Sequence, residues 1–309
     1  MTAVPTRPLY LLACDHRTSF QRGLFGIAGR PSARERERMA EAKLIVLEGL
    51  ESAANAARSA NATLGALFDE EIGSEAIRRT REKGLALAIC AEKSSQAEFD
   101  FEYGDRFAEH IEAINPDFVK ILARYNVEGD AAANRRQAER LVRLSDWLAG
   151  RDNRLLFELI VPAEPGQLAS VGGDAVRFRA ERRPRLVALA IAELQDAGVE
   201  PTIWKVEGVD SAEDCRLIAE TARADGRDHV RCVVLGAGAD QMTVTRWLEL
   251  ASQTEGFAGF AIGRTIFWEP LTAWNGGQVG RETAVDAIAQ NYRRMIDAYE
   301  LHGREPART

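Results

Sequence analysis

The chain has 309 residues, 46% hydrophobic and 28% charged, with a formal net charge of −7. That composition belongs to a soluble globule with ample core, in which mixed signs leave no basic face for nucleic acid. No apolar run approaches membrane-spanning length, and the N-terminal run Leu11 to Ala13 is too short for a signal peptide.

In chain order, Leu9 to Cys14 reads as a first strand ending in Asp15-His16-Arg17, and a Gly-containing loop runs on through Gly29. Ser32 caps a long charged helix to about Ala60. Thr63 to Phe68 is a second strand and Ser74 to Lys83 a helix stopped by Gly84. Leu85 to Ala91 is the third strand, ending in Glu92-Lys93-Ser94 before a polar-aromatic loop, Phe99 to Gly104. After a helix over Arg106 to Ile114, strand four covers Asp117 to Ala123 with Lys120 inside it and Arg124 at its end. The helix Ala131 to Leu148 leads to strand five, Arg154 to Val161, which carries Glu158. Pro162 to Arg183 reads as a long connection of the kind that serves as a lid. A helix over Pro184 to Ala197 precedes strand six, bounded by Pro201 and Gly208. Helix Ala212 to Ala224, strand Val230 to Leu235, helix Gln241 to Ser252 and strand Phe257 to Ile262 follow. Arg281 to Tyr299 is the last helix, and 302–309 a polar, disordered tail.

Eight short apolar strands alternating with helices predict a single-domain (β/α)8 barrel. A doubly wound sheet is the runner-up; it would more often place a Gly-rich turn after the first strand, and none stands there. The four cysteines are too scattered for a disulfide framework or a zinc site, which points to a reduced, cytoplasmic protein.

In such a barrel, chemistry sits at the carboxyl ends of the strands. Lys205, in Ile203-Trp204-Lys205-Val206-Glu207, needs a reason to lie in a buried strand. Alternation puts Lys205 and Glu207 on one face and Trp204 and Val206 on the other. A desolvated lysine is a nucleophile toward carbonyls, whereas the bland reading is a structural ion pair. Lys120 and Glu158 are two further charges in apolar strands. The glycines Gly236, Gly238 and Gly263, with Arg264, offer backbone N–H groups and a guanidinium to a phosphate, or are ordinary tight turns. His16 reads as a hydrogen-bonding residue at the rim or as a structural one. The basic run Arg177 to Arg185 is solvated or paired surface, or meets an anionic substrate.

Leu12-Ala13-Cys14-Asp15-His16-Arg17, Glu92-Lys93-Ser94, Phe99-Asp100-Phe101-Glu102-Tyr103-Gly104, Arg124-Tyr125-Asn126, Val161-Pro162-Ala163-Glu164, Trp204-Lys205-Val206-Glu207-Gly208 and Gly263-Arg264-Thr265-Ile266-Phe267-Trp268 together resemble a known family. It is the barrel domain of bacterial inositol-catabolism proteins, found alone or fused behind 5-dehydro-2-deoxygluconokinase; the kinase half is absent here. That domain is similar in turn to the class I tagatose-bisphosphate and fructose-bisphosphate aldolases. The resemblance implies a Schiff-base lysine at Lys205, a second lysine at Lys120, an acid/base glutamate at Glu158, an aspartate at Asp15 and an anion-binding Arg264. The match to Lys93 is looser, since Glu92 competes for its role. The implied reaction is retro-aldol cleavage of 6-phospho-5-dehydro-2-deoxygluconate to dihydroxyacetone phosphate and malonate semialdehyde. Arg124 and His16, at their strand ends, are further candidates for substrate contact. No cofactor is expected, and no partner beyond the phosphorylated sugar except a possible second copy of the chain. The alternatives are an aldolase for another ketose bisphosphate, a divalent-metal-dependent lyase and a non-catalytic sugar-phosphate-binding domain.

Overall fold

A computed structural model describes residues 7–56 and 62–301. The expected tail at 302–309 and the expected end of the second helix near residue 60 lie outside the described residues. Eight parallel strands close into one ring in sequence order. They are β1 (Leu9–Cys14), β2 (Thr63–Phe68), β3 (Ala86–Cys90), β4 (Phe118–Arg124), β5 (Arg154–Ile160), β6 (Ile203–Glu207), β7 (Arg231–Leu235) and β8 (Phe257–Ile262). Strand β8 pairs back onto β1, Leu9 opposite Gly259 and Leu12 opposite Ile262, so the sheet has no edge and the doubly wound alternative is excluded. Gly259 makes that closure possible: its φ is +120°, and a Cβ there would stand 2.1 Å from the Leu9 carbonyl oxygen.

The helices form the outer layer: α1 (Thr18–Phe25), α2 (Ala33–Ala56), α3 (Glu70–Glu82), α4 (Phe107–Ile114), α5 (Ala131–Leu148), α6 (Pro165–Ser170), α7 (Ala175–Glu181), α8 (Arg183–Asp196), α9 (Ala212–Arg223), α10 (Gln241–Ser252), α11 (Arg264–Asn275) and α12 (Arg281–Glu300). Ser32 does start α2: its Oγ accepts from the Glu35 N–H at 3.3 Å while the Glu35 carboxylate accepts from the Ser32 N–H at 2.7 Å. Three stretches depart from the sequence expectation. The loop expected before Gly29 contains α1, which stops at Gly26 in the left-handed region. Helix α11 follows β8 directly, where no element was assigned. The connection after β5 is not irregular but carries α6 and α7. Glu164 and Gln167 form a capping box around Pro165, and Asp174 accepts from the Val176 and Arg177 N–H groups to start α7. Those caps lie in short segments whose periodicity is too brief to register.

Strand alternation sorts the side chains into two cores. Leu9, Leu11, Ala13, Leu67, Ala88, Phe118, Leu156, Ile203, Val233 and Ala261 fill the barrel interior as an apolar plug. The intervening residues, such as Tyr10, Leu12, Trp204 and Val206, pack outward against the helices. Trp204 and Val206 therefore lie opposite Lys205, as the period of two requires.

A buried polar cluster ties the helical layer to the end of β1. Lys43 of α2 is wholly buried; its ammonium donates to the Cys14 carbonyl at 2.8 Å and the His16 carbonyl at 3.1 Å, and pairs with Asp69. Asp69 also caps α3 by accepting from the Ile72 N–H at 3.0 Å, so that helix begins at Glu70, ahead of the expected Ser74. Burial works against the Lys43 charge, but the Asp69 carboxylate outweighs it and raises the pKa. The pair thus fixes the end of β1, from which Asp15 and His16 project.

Candidate active site

Above the plug, a cavity of about 410 Å³ opens at the carboxyl ends of the strands, walled by residues from every strand end except that of β2. The register sets Glu158 of β5 opposite Lys205 of β6, whereas Lys120 of β4 sits two residues below Leu122, the partner of Glu158, and its long side chain reaches the same carboxylate. Lys120 and Lys205 are buried and both line the cavity, where each meets Glu158, so both amines point inward rather than into the helical shell.

Lys120 is the hub. Its Nζ lies 2.7 Å from Asp15 Oδ2, 2.8 Å from Glu92 Oε1 and 2.9 Å from Glu158 Oε2. An ammonium has three N–H donors, and three carboxylates from three other strand ends take them. Glu158 Oε2 also lies 3.0 Å from Lys205 Nζ, so one carboxylate oxygen joins the two amines.

The electrostatics follow from these contacts. Burial opposes the charge on Lys120, but Asp15, Glu158 and Glu92 together hold its pKa well above the ordinary lysine value. Burial likewise opposes charge on Asp15 and Glu158, yet Lys120 and Lys205 win and both carboxyls are held low. Glu92 goes the other way: burial pushes it up, and Lys120 only partly offsets that.

The sequence left open whether Glu92 or Lys93 faces the site. Glu92 bridges antiparallel to Phe101, with the Glu102 N–H donating to Ala91 O at 2.9 Å and the Lys93 N–H to Asp100 O at 3.0 Å. This folds the polar-aromatic segment back on the end of β3 and turns Glu92 inward. The next side chain, Lys93, goes to the rim, where Asp100 holds it at 2.5 Å. Both residues line the cavity, Glu92 inside it and Lys93 at its edge. Arg17, absent from the sequence candidates, secures this turn by donating to the Glu92 carbonyl at 2.5 Å and to Glu102 at 2.8 Å.

On the opposite wall, Ala237 and Gly238 both have positive φ, at 49° and 74°, so the turn after β7 presents its backbone to the cavity. Arg264 opens α11 and lies across that turn; a Cβ on Gly238 would stand 3.0 Å from its Cζ. Among the described residues no carboxylate lies within ion-pair distance of Arg264. Gly236 and Gly263 complete the wall, and a side chain at Gly263 would meet the Ala13 carbonyl at 2.1 Å. Arg124 is exposed on the far wall, donating to Gln96 O at 2.8 Å. The basic run in α7 and α8 is largely paired, Arg177 with Glu181, and Arg183 with Glu207 at 3.0 Å. Glu207 thus shares the face of Lys205 but is engaged by Arg183.

His16 makes no hydrogen bond through Nδ1, whose nearest carboxylate oxygen, on Asp15, is 3.9 Å away; its ring packs edge-on against Phe267. Burial, with Arg264 and Lys205 adding to it against Asp15, lowers its pKa from 6.5 to about 4. It is therefore neutral and packed. A depressed histidine favours the fold above its ordinary pKa, and that advantage is lost as pH falls through the folded value. Unfolding titrations are expected to show up to about 3 kcal/mol lost to this group between pH 6.5 and 4, and His16→Gln is expected to flatten that part of the curve.

Among the described residues no group of three His, Cys, Asp or Glu side chains is placed to hold a metal ion, and no helix is long and apolar enough to cross a membrane. All four cysteines are buried and unpaired.

A sequence family described as "Uncharacterized protein conserved in bacteria (DUF2090)" matches residues 3–303. No curated protein matches the chain. Among solved structures, the chain is similar to fructose-bisphosphate aldolase from Plasmodium falciparum, crystallised with TRAP and a small-molecule inhibitor. The TM-score is 0.69 at 14% identity, over 98% of this chain and 93% of that one. At that identity the likeness is one of fold, an aldolase-like (β/α)8 barrel.

Proposed function

For this chain, which belongs to the DUF2090 family of uncharacterized bacterial proteins, we propose a class I aldolase that cleaves a ketose phosphate through a Schiff base on Lys205. The observation that carries the reading is one carboxylate oxygen of Glu158 standing 3.0 Å from the Lys205 amine and 2.9 Å from the Lys120 ammonium, inside a closed barrel. A nucleophilic amine, a proton-handling carboxylate beside it and a fixed positive charge are what imine formation and carbon–carbon cleavage require.

In this reading the Lys205 amine attacks the ketone carbon and water leaves. The protonated imine then accepts the electron pair of the broken C–C bond. Lys120 and Asp15 position substrate hydroxyls and hold the local charge. Gly236, Gly238, Gly263 and Arg264 take the phosphate. Arg124, with Lys93 and His16 at the rim, borders the other end of the substrate. The specific substrate we favour is 6-phospho-5-dehydro-2-deoxygluconate, giving dihydroxyacetone phosphate and malonate semialdehyde in a cytoplasmic inositol-catabolic route. A ketose bisphosphate such as tagatose bisphosphate is the second reading, since Arg124 offers a cation to any anionic far end.

The test is borohydride reduction in the presence of a small panel of ketose phosphates, followed by peptide mass spectrometry. One adduct is expected, on Lys205, largest with the true substrate. A preparation that cleaves substrate while Lys205 stays unmodified removes the reading.

A further inference from the structure

Between the charged cluster and Arg124, the cavity wall is apolar. Inward-facing residues recur at every second position of a strand, roughly 7 Å apart. On β4 the inward series runs Lys120, Leu122, Arg124, and on β5 it runs Glu158, Ile160. Leu122 pairs in register with Glu158, and Arg124 with Ile160, so Leu122 and Ile160 are diagonal neighbours on adjacent strands. Both line the cavity. Charge thus lies deeper than this pair, at Lys120 and Glu158, and nearer the mouth, at Arg124.

Both side chains are half-buried, and neither packs into the apolar plug or the outer core. Their remaining apolar surface faces the cavity. A single exposed leucine needs no explanation, but two apolar side chains on neighbouring strands, set between charges inside a cleft, form a step for a ligand to cover.

The step lies across the cavity from the phosphate wall. With phosphate at the turns after β7 and β8 and the ketone carbon at Lys205 of β6, the rest of the substrate runs toward β5 and β4. The two carbons of the breaking bond lie at the level of Lys120, Asp15 and Glu158, which can hydrogen-bond their hydroxyls. The next carbon, the one beside the leaving aldehyde carbon, meets Leu122 and Ile160. Neither offers a donor or an acceptor. A hydroxyl there gives up water and finds no partner, whereas a methylene buries apolar surface. One step further, Arg124 spends Nη1 on Gln96 O at 2.8 Å and meets no carboxylate among the described residues, which leaves Nη2 for an anionic terminus.

Resting on the aldolase reading above, we propose that Leu122 and Ile160 are specificity-determining residues: they select a substrate with an unsubstituted methylene beside the leaving aldehyde carbon and an anionic group, held by Arg124, one carbon beyond. The aldehyde fragment is then a short deoxy acid. A ketose bisphosphate such as tagatose bisphosphate carries a hydroxyl at the methylene position, and the same two side chains disfavour it.

The experiment compares two ketose phosphates that differ at that carbon alone, 6-phospho-5-dehydro-2-deoxygluconate and its 2-hydroxy counterpart. Wild type is expected to favour the deoxy compound roughly 10- to 100-fold in kcat/KM, the range over which an apolar pocket rejects an added hydroxyl. Leu122→Asn and Ile160→Thr place polar groups on the step, and each is expected to shrink that ratio at least about fivefold, chiefly by improving the hydroxylated compound. The ratio compares two substrates on one protein, so a general loss of folded enzyme cancels. Equal kcat/KM for the two compounds in wild type, or a ratio unmoved by both substitutions, overturns the proposal, while an adduct on Lys205 leaves the aldolase reading standing. If neither compound is trapped on Lys205, the aldolase reading falls and calorimetry of the same pair decides. Wild-type affinity about tenfold or more tighter for the deoxy compound supports the apolar step, and equal or absent binding overturns it.

Discussion

Lys205→Met is expected to fold and to lose cleavage activity by roughly 10⁴-fold or more, the scale on which removing a covalent nucleophile registers. Methionine has a similar length and fills the space of a side chain that is only 4% exposed. Glu158 keeps its 2.9 Å contact with Lys120, which limits but does not abolish the cost of losing the buried 3.0 Å Lys205–Glu158 pair. A partial loss of stability is therefore expected, and an inactive variant that still unfolds cooperatively separates chemistry from folding. The phosphate end of the site is untouched, so substrate affinity by calorimetry is expected to persist. Activity of Lys205→Met within tenfold of wild type would end the Schiff-base reading.

Lys120→Met is expected to reverse that balance, with a loss of stability as its first effect. Three carboxylates converge on this one ammonium, and methionine leaves them facing each other with only Lys205 nearby. Breaking a buried ion pair by removing one partner costs about 3–5 kcal/mol, because the remaining charge is uncompensated. The pH dependence should also change sign. In wild type, Asp15 and Glu158 have depressed pKa values, so they contribute stability that is present above the ordinary carboxyl range and lost as pH falls. Without Lys120 these carboxyls should titrate upward, and the variant should gain stability as the solution is acidified toward pH 5. Denaturant titrations at pH 8 and pH 5 measure this. A Lys120→Met protein as stable as wild type at both values would mean that the cluster does not hold the charge pattern described.

The sequence showed Lys205, Lys120 and Glu158 because each is a charge inside a short apolar strand, where desolvation demands an explanation. Their convergence then needed only the strand period and the closed ring. What it hid depends on contacts between distant segments. Glu92 faces the cavity because Phe101, nine residues on, bridges back to it, and no local pattern announces that. Arg17 looked like part of a strand-end motif, yet its role is to tie the end of β1 to the turn after β3. The Lys43–Asp69 pair joins a helix that read as merely charged to a residue that read as a strand terminus. Helices α6 and α7 were marked only by their caps, in a stretch where glycine and proline suggested a loop.

The apolar plug beneath the two lysines closes the far side of the barrel. A chamber stoppered at its base has a single doorway, through which a substrate enters and its products leave. On the Schiff-base reading proposed above, one of the two fragments is still tethered to an amine after cleavage, so the untethered one departs first. That reading therefore implies an order of release, with the aldehyde fragment expected as the first product out.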